Sequence, residues 1–157
     1  MSRRRRAVKR PLPEDAKYHS PLVTRVINTV MMGGKKSTAQ RIVYGALDAI
    51  VAKNPSTNPL EILQRAMDNA KPRLEVKARR VGGATYQVPL EVTSDRQMSL
   101  AARWIVDLAD SRKGQPLTSA LATEILDAYQ GQGNAIRKRD EMHKMAQANK
   151  AFAHFRW

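Results

Sequence analysis

A mainly α-helical single domain of about six helices, with one β-hairpin protruding between the third and fourth, is the fold this 157-residue sequence predicts. Three observations predict it. Apolar residues recur at helical spacing along most of the chain. Pro, Asn and Gly punctuate the joints between those segments. One stretch breaks the pattern: EVKARRVGGATYQVPLEV, residues 75–92, has two arms rich in β-branched and aromatic residues around a Gly-Gly pair.

The chain opens with a basic stretch. Arg3, Arg4, Arg5, Arg6, Lys9 and Arg10 fall in the first ten residues, and Pro11 and Pro13 follow. Little there suits a core, so residues 1–17 read as a basic flexible arm and residues 18–157 as one helical domain. The first helix is expected over 20–32, with Ser20 as N-cap, Pro21 at the first helical position and Gly33 as terminator. Its core face is Leu22, Val23, Val26, Ile27, Val30 and Met31. The second, over 36–53, carries a wide stripe of Ala39, Ile42, Val43, Ala46, Leu47, Ile50 and Val51, and Asn54-Pro55 ends it. Asn58 and Glu61 form a capping-box pattern for the third helix, which buries Leu60, Leu63, Ala66 and Met67 and stops before Pro72.

The ribbon, 73–93, comes next. With a two-residue Gly82-Gly83 loop, the apolar residues of the two arms would lie on opposite faces. A one-residue offset sets Leu74, Val76 and Ala78 beside Tyr86, Val88 and Leu90, so a three-residue loop or a bulge is expected. Ser94 and Gln97 mark the start of a fourth helix over 94–112, with Trp104 on its core side. Gly114 and Pro116 separate it from a fifth that runs to Gln130. Gly131 and Gly133 break the chain before a charged sixth helix over 134–150, and detach that helix and the tail that ends the 134–157 segment from the core.

Lys and Arg total 28 against 14 Asp and Glu, a formal charge of +14. Such an excess repels itself unless a polyanion neutralises it, and nucleic acid is the first candidate. The absence of cysteine excludes disulfides and thiolate metal sites. His19, His143 and His154 are scattered, so no metal or other cofactor is expected. No apolar run approaches the roughly 20 residues of a membrane span, and no membrane partner is expected.

Residues 33–38, GGKKST, resemble a phosphate loop but lack its spacing and its preceding strand. What remains is a Gly-rich turn that opens a helix beside Lys35 and Lys36, a place for a backbone phosphate. No nucleophile has a base and an orienter, so the chain does not read as an enzyme. Asp140 and Glu141 read as helix partners of Lys144 and Arg137. In the closing NKAFAHFRW, Phe152, His154, Phe155 and Trp157 alternate with Lys150 and Arg156, a pattern suited to stacking on unpaired bases and pairing with phosphates. The alternative is a tail folded back on its own helices. Lys77, Arg79 and Arg80 load the ribbon near its glycine tip, and Tyr86 offers a stacking surface. A ribbon that is marginal alone can be ordered by an RNA partner.

The hairpin RRVGGATYQVPLEV, the segment KYHSPLVTRVINTVMMGGKKSTAQRIVYGALD and the ending RKRDEMHKMAQANKAFAHFRW resemble the small-subunit ribosomal protein seven family, bacterial or organellar type. The resemblance runs from about residue 17 to residue 157. It implies a structural ribosomal protein, without catalysis or cofactor, that binds the 3′ major domain of small-subunit ribosomal RNA and nucleates assembly of the subunit head. It implies a position near the exit-site transfer RNA and the messenger RNA path, beside neighbouring small-subunit ribosomal proteins. The location would be the cytoplasm, or an organellar stroma or matrix. On these residues, Arg3 to Arg10, Lys35, Lys36, Lys77, Arg79 and Arg80 become ribosomal-RNA contacts. Tyr86 and the sixth helix, with Arg137, Lys138, Arg139 and Lys144, become candidates for transfer RNA, messenger RNA or a protein neighbour. Lys150, Arg156 and Trp157 complete the candidate surface. After the ribbon, where the family often carries more cations, this chain keeps Arg96. The rival reading is an architectural DNA-binding protein that uses its β-ribbon. Such ribbons carry an apolar or proline wedge at the tip, whereas Pro89 here lies well away from the turn.

Overall fold

The computed structural model describes residue 8 and residues 10–155. Its elements are α1 (Pro21–Val30), α2 (Lys36–Lys53), α3 (Pro59–Ala70), β1 (Leu74–Val81), β2 (Ala84–Glu91), α4 (Ser94–Asp110), α5 (Leu117–Tyr129) and α6 (Asn134–Ala148), followed by a 3-10 segment, Lys150–Phe155. The chain is mainly helical with one antiparallel hairpin between α3 and α4.

Helix α5 is the hub, packed against α2, α3 and α4. Its buried face is mostly small: Ala120, Leu121, Ala122, Ile125 and Ala128. Small residues let helix axes approach closely, and Gly45 on α2 shows how closely. A Cβ placed there would stand 2.8 Å from the Thr118 methyl at the start of α5. Leu47, Ile50, Ile62, Leu63, Met67 and Ile105 fill the rest of the core. At the far end of α5, the Asn69 amide donates to the carbonyls of Ala128 and Tyr129, satisfying orphan acceptors of that helix end.

Several expectations are corrected. Helix α1 ends at Val30, not at 32, because Met31 turns to extended backbone. Gly33 and Gly34, at φ of 58° and 74°, then shape the turn into α2. Val51 is 38% exposed, one helical step past the buried stripe that ends at Ile50, while Ile62 joins the core instead. The capping box of α3 forms only by half. Asn58 accepts from the Leu60 amide, and the exposed Glu61 carboxylate bonds no described residue. For α4, Thr93 is the N-cap, and the Gln97 side chain donates to the Val92 carbonyl. Trp104 is buried, as expected.

The hairpin register is the largest correction. The loop is the two-residue Gly82-Gly83 turn, with no bulge, and β1 pairs with β2 from Leu74↔Glu91 to Val81↔Ala84. Both glycines have positive φ, 57° and 89°, the pairing of a type I′ turn. One face therefore mixes Glu75, Lys77 and Arg79 with Leu90, Val88 and Tyr86. Turn geometry prevails over apolar sorting because the tertiary structure supplies partners for that mixture. Glu75, 7% exposed, is held by Arg96 at 2.7 Å and Lys77 at 3.2 Å.

Helix α6 is not detached. Ala135 and Ile136 belong to the main core, and the helix packs on α3, α4, α5 and both strands. The fully buried Glu124 of α5 fastens its start. One carboxylate oxygen accepts from the Ala135 amide at 2.8 Å, and the other accepts from Arg112. Arg112 also reaches Asp127 at 2.9 Å, and the two acids hold its guanidinium above its ordinary pKa.

Candidate nucleic-acid interface

The ribbon is built outward from its root. There the Val92 amide donates to the Arg73 carbonyl, and the Arg73 amide donates to His143 Nε2 on α6 at 2.9 Å. That bond requires an unprotonated Nε2. Burial, then the nearby Arg139 and Arg73 charges, lower the His143 pKa from its ordinary 6.5 against the opposing pull of Asp140. Leu74, Pro89 and Glu91 face His143, Ala146 and Lys150 across a groove of about 520 Å³.

Further out, the ribbon meets the tail. Tyr86 packs against Phe152 and Phe155 at centroid distances of 5.0 and 5.3 Å. The Arg79 guanidinium donates to the Phe155 carbonyl. The described part of the tail, through Phe155, thus folds back onto the ribbon. Beyond this contact, Arg80 is exposed and the Gly82-Gly83 tip is open: a Cβ on either glycine would meet nothing within 4 Å. The Gly33-Gly34 turn repeats the arrangement. It too is clear within 4 Å, and the exposed Lys35 and Lys36 follow it. Two amides there are already used, Lys35 to Met32 and Lys36 to Gly34.

A profile described as ribosomal protein S7p/S5e matches residues 2–150. The chain belongs to that family. Curated relatives named small ribosomal subunit protein uS7 include one from Akkermansia muciniphila, 57% identical, and two from Francisella tularensis, subspecies holarctica and novicida, at 54% and 53%. Each alignment covers 100% of both chains. As a member of the S7p/S5e family the chain is a small-subunit ribosomal protein, not an enzyme, and its full-length match to bacterial relatives fits a cytoplasmic ribosome.

Within this family member, the candidate residues divide by what they touch. Arg10, Lys35, Lys36, Arg80, Arg137, Lys138, Lys144 and Lys150 are exposed and form no ion pair with a described carboxylate. Lys77 is exposed but shares Glu75 with Arg96. Arg79 and Tyr86 are half-buried against the tail. Arg139 is half-buried and turned inward, donating to the Asn69 carbonyl and to Asp140. Asp140 therefore pairs with its neighbour Arg139, not with Lys144. Arg3, Arg4, Arg5, Arg6, Lys9, Arg156 and Trp157 lie outside the described residues.

Sequence reasoning missed the knot that ties the N-terminal stretch down. Asp15, 4% exposed, accepts from the Tyr44 hydroxyl at 2.6 Å and from the amides of Lys17 and Tyr18. Burial alone would raise its pKa, but these hydrogen bonds outweigh it and lower the value. Lys17 reaches Asp48 at 2.7 Å, and that hydrogen bond lowers the Asp48 pKa against burial. The partners are about 30 residues apart, so no local pattern announces them. Among the described residues, no group of three His, Cys, Asp or Glu is placed to hold a metal, and no helix is long and apolar enough to cross a membrane. The arrangement can neutralise phosphates and admit a backbone at its two glycine turns.

Proposed function

We propose that this ribosomal protein binds small-subunit ribosomal RNA directly, in the 3′ major domain, and nucleates assembly of the subunit head. The observation that carries the reading is the repeated surface device: an open Gly-Gly turn beside exposed cations, at Gly33-Gly34 with Lys35 and Lys36 and at Gly82-Gly83 with Arg80 and Lys77. Glycine lets a phosphate backbone approach, and exposed cations neutralise it and release counterions. Family membership supports the remaining assignments. These are the head of the small subunit, a position near the exit-site transfer RNA and the messenger path, and protein neighbours around α6.

Nuclease footprinting on deproteinised small-subunit RNA tests the reading. Lys77→Ala with Arg80→Ala, and separately Lys35→Ala with Lys36→Ala, should each erase a distinct set of protections without changing the melting temperature. Neutralising about 6 to 8 phosphates gives a slope of log K against log salt of roughly −4 to −7. A slope near −1, or protections unchanged in both variants, refutes the proposal.

A further inference from the structure

We propose that the C-terminal 3-10 segment is a strap that fixes the angle of the ribbon, with Phe152 and Phe155 as positioning residues. The inference rests on the RNA-binding reading, because the strap matters by setting which phosphates Lys77 and Arg80 reach.

A two-stranded ribbon is marginal in water without further packing. Helix α6 supports the root, where it shares the groove with Leu74, Pro89 and Glu91. The Arg79↔Tyr86 rung lies five residues beyond the Leu74↔Glu91 rung. At about 3.4 Å per residue that is roughly 17 Å out, and the turn is about 10 Å further. A lever of about 27 Å, held only at its root, moves its tip about 5 Å for a swing of about 10°, more than the roughly 3.4 Å axial spacing of phosphates along one duplex strand. A brace part-way along removes that freedom. The tail is placed to provide it: two phenylalanine rings sit on Tyr86, stacked 11° from parallel with each other, while the Phe155 carbonyl accepts from Arg79. The Phe152 amide donates to the Asn149 carbonyl, so the strap starts from the end of α6 with its own backbone anchored. Tyr86 is thereby committed to the fold, not to base stacking.

The test exploits a chain that contains no cysteine. Spin labels at Thr85→Cys on the ribbon and Ala52→Cys on α2 report the ribbon angle by pulsed dipolar spectroscopy. The parent should give one narrow distance distribution. Phe152→Ala with Phe155→Ala should broaden it several-fold and leave the core melting transition in place. Tyr86→Ala, approached from the other side of the contact, should broaden it equally, and Tyr86→Phe, which keeps the ring, should not. On RNA, the double phenylalanine variant should lose about tenfold in affinity. It should lose the protections assigned by Lys77→Ala and Arg80→Ala while keeping those of Lys35 and Lys36. A distribution that stays narrow in both the double variant and Tyr86→Ala overturns the strap. So does a fall in affinity with the ribbon still narrow, which would make the phenylalanines RNA contacts. If the parent protein leaves no footprint, the RNA-binding reading fails, and the spectroscopy still decides the strap.

Discussion

Replacing Glu124 with Ala should destabilise the protein by about 3 kcal/mol, a cost set by one buried carboxylate with two partners. Glu124 is 0% exposed, accepts from the first buried amide of α6 at Ala135, and compensates the Arg112 guanidinium. Breaking a buried pair by removing one partner costs about 3–5 kcal/mol, because the other charge stays desolvated. Asp127 remains 2.9 Å from Arg112 and keeps part of that charge compensated, which places the cost at the low end. The orphaned Ala135 amide and the void left by the side chain prevent it from falling further. In a domain of this size each kcal/mol moves the melting point by roughly 2–4 °C, so the variant should melt about 6–12 °C lower. Glu124→Gln keeps an acceptor for Ala135 and should lose about half as much. Far-UV circular dichroism melts at neutral pH measure both, and hydrogen exchange at Ala135 should accelerate in the Ala variant. A melting shift under about 2 °C for Glu124→Ala would refute the claim that this carboxylate fastens α6.

Leu47→Ala, at a core position 0% exposed, should cost roughly 2–5 kcal/mol in denaturant titration, whereas Lys77→Ala with Arg80→Ala should leave the midpoint unchanged. Gly45→Ala should destabilise despite the better helix propensity of alanine, since its Cβ would press on the Thr118 methyl at 2.8 Å. Adding Thr118→Ser, which removes that methyl, should recover stability, and a neutral Gly45→Ala would show that the helices part easily. The His143 pKa is lowered in the folded state, so the group contributes stability fully present above the unfolded value of 6.5. That stability is lost as pH falls from there through the lower folded value, when the ring gains a proton and can no longer accept from Arg73. Melting temperatures followed from about pH 7 to pH 5 should show a fall that His143→Gln flattens, and parallel curves would remove His143 from the ribbon root.

The helices were legible because each writes its own period. The stripe Ala39, Val43, Ala46, Leu47 and Ile50 is a local statement of burial, and Pro21, Asn54-Pro55 and Pro72 stop or start the backbone by steric rule. The Gly-Gly hairpin was legible for the same reason. Its register was not, since apolar alternation and turn geometry gave opposite answers there. The decision fell to partners far away in sequence: Arg96 on Glu75, the Phe155 carbonyl on Arg79 and the two phenylalanines on Tyr86.

The candidate interface divides in the same way. Charge is additive, so composition alone determined that the molecule carries a large positive excess suited to a polyanion, and the glycine turns determined where a backbone can come close. Which cations remain available is not additive. It depends on which carboxylates and carbonyls the packed helices bring within reach. Arg139 was taken inward by Asn69 and Asp140 and Arg112 by Glu124, Arg96 stayed exposed but was paired with Glu75, while Lys35, Lys36 and Arg80 were left outward and unpaired with any described carboxylate. A hydrogen bond between residues dozens of positions apart has no local period and no local spacing, so only the tertiary structure could assign the cations between the fold and its surface.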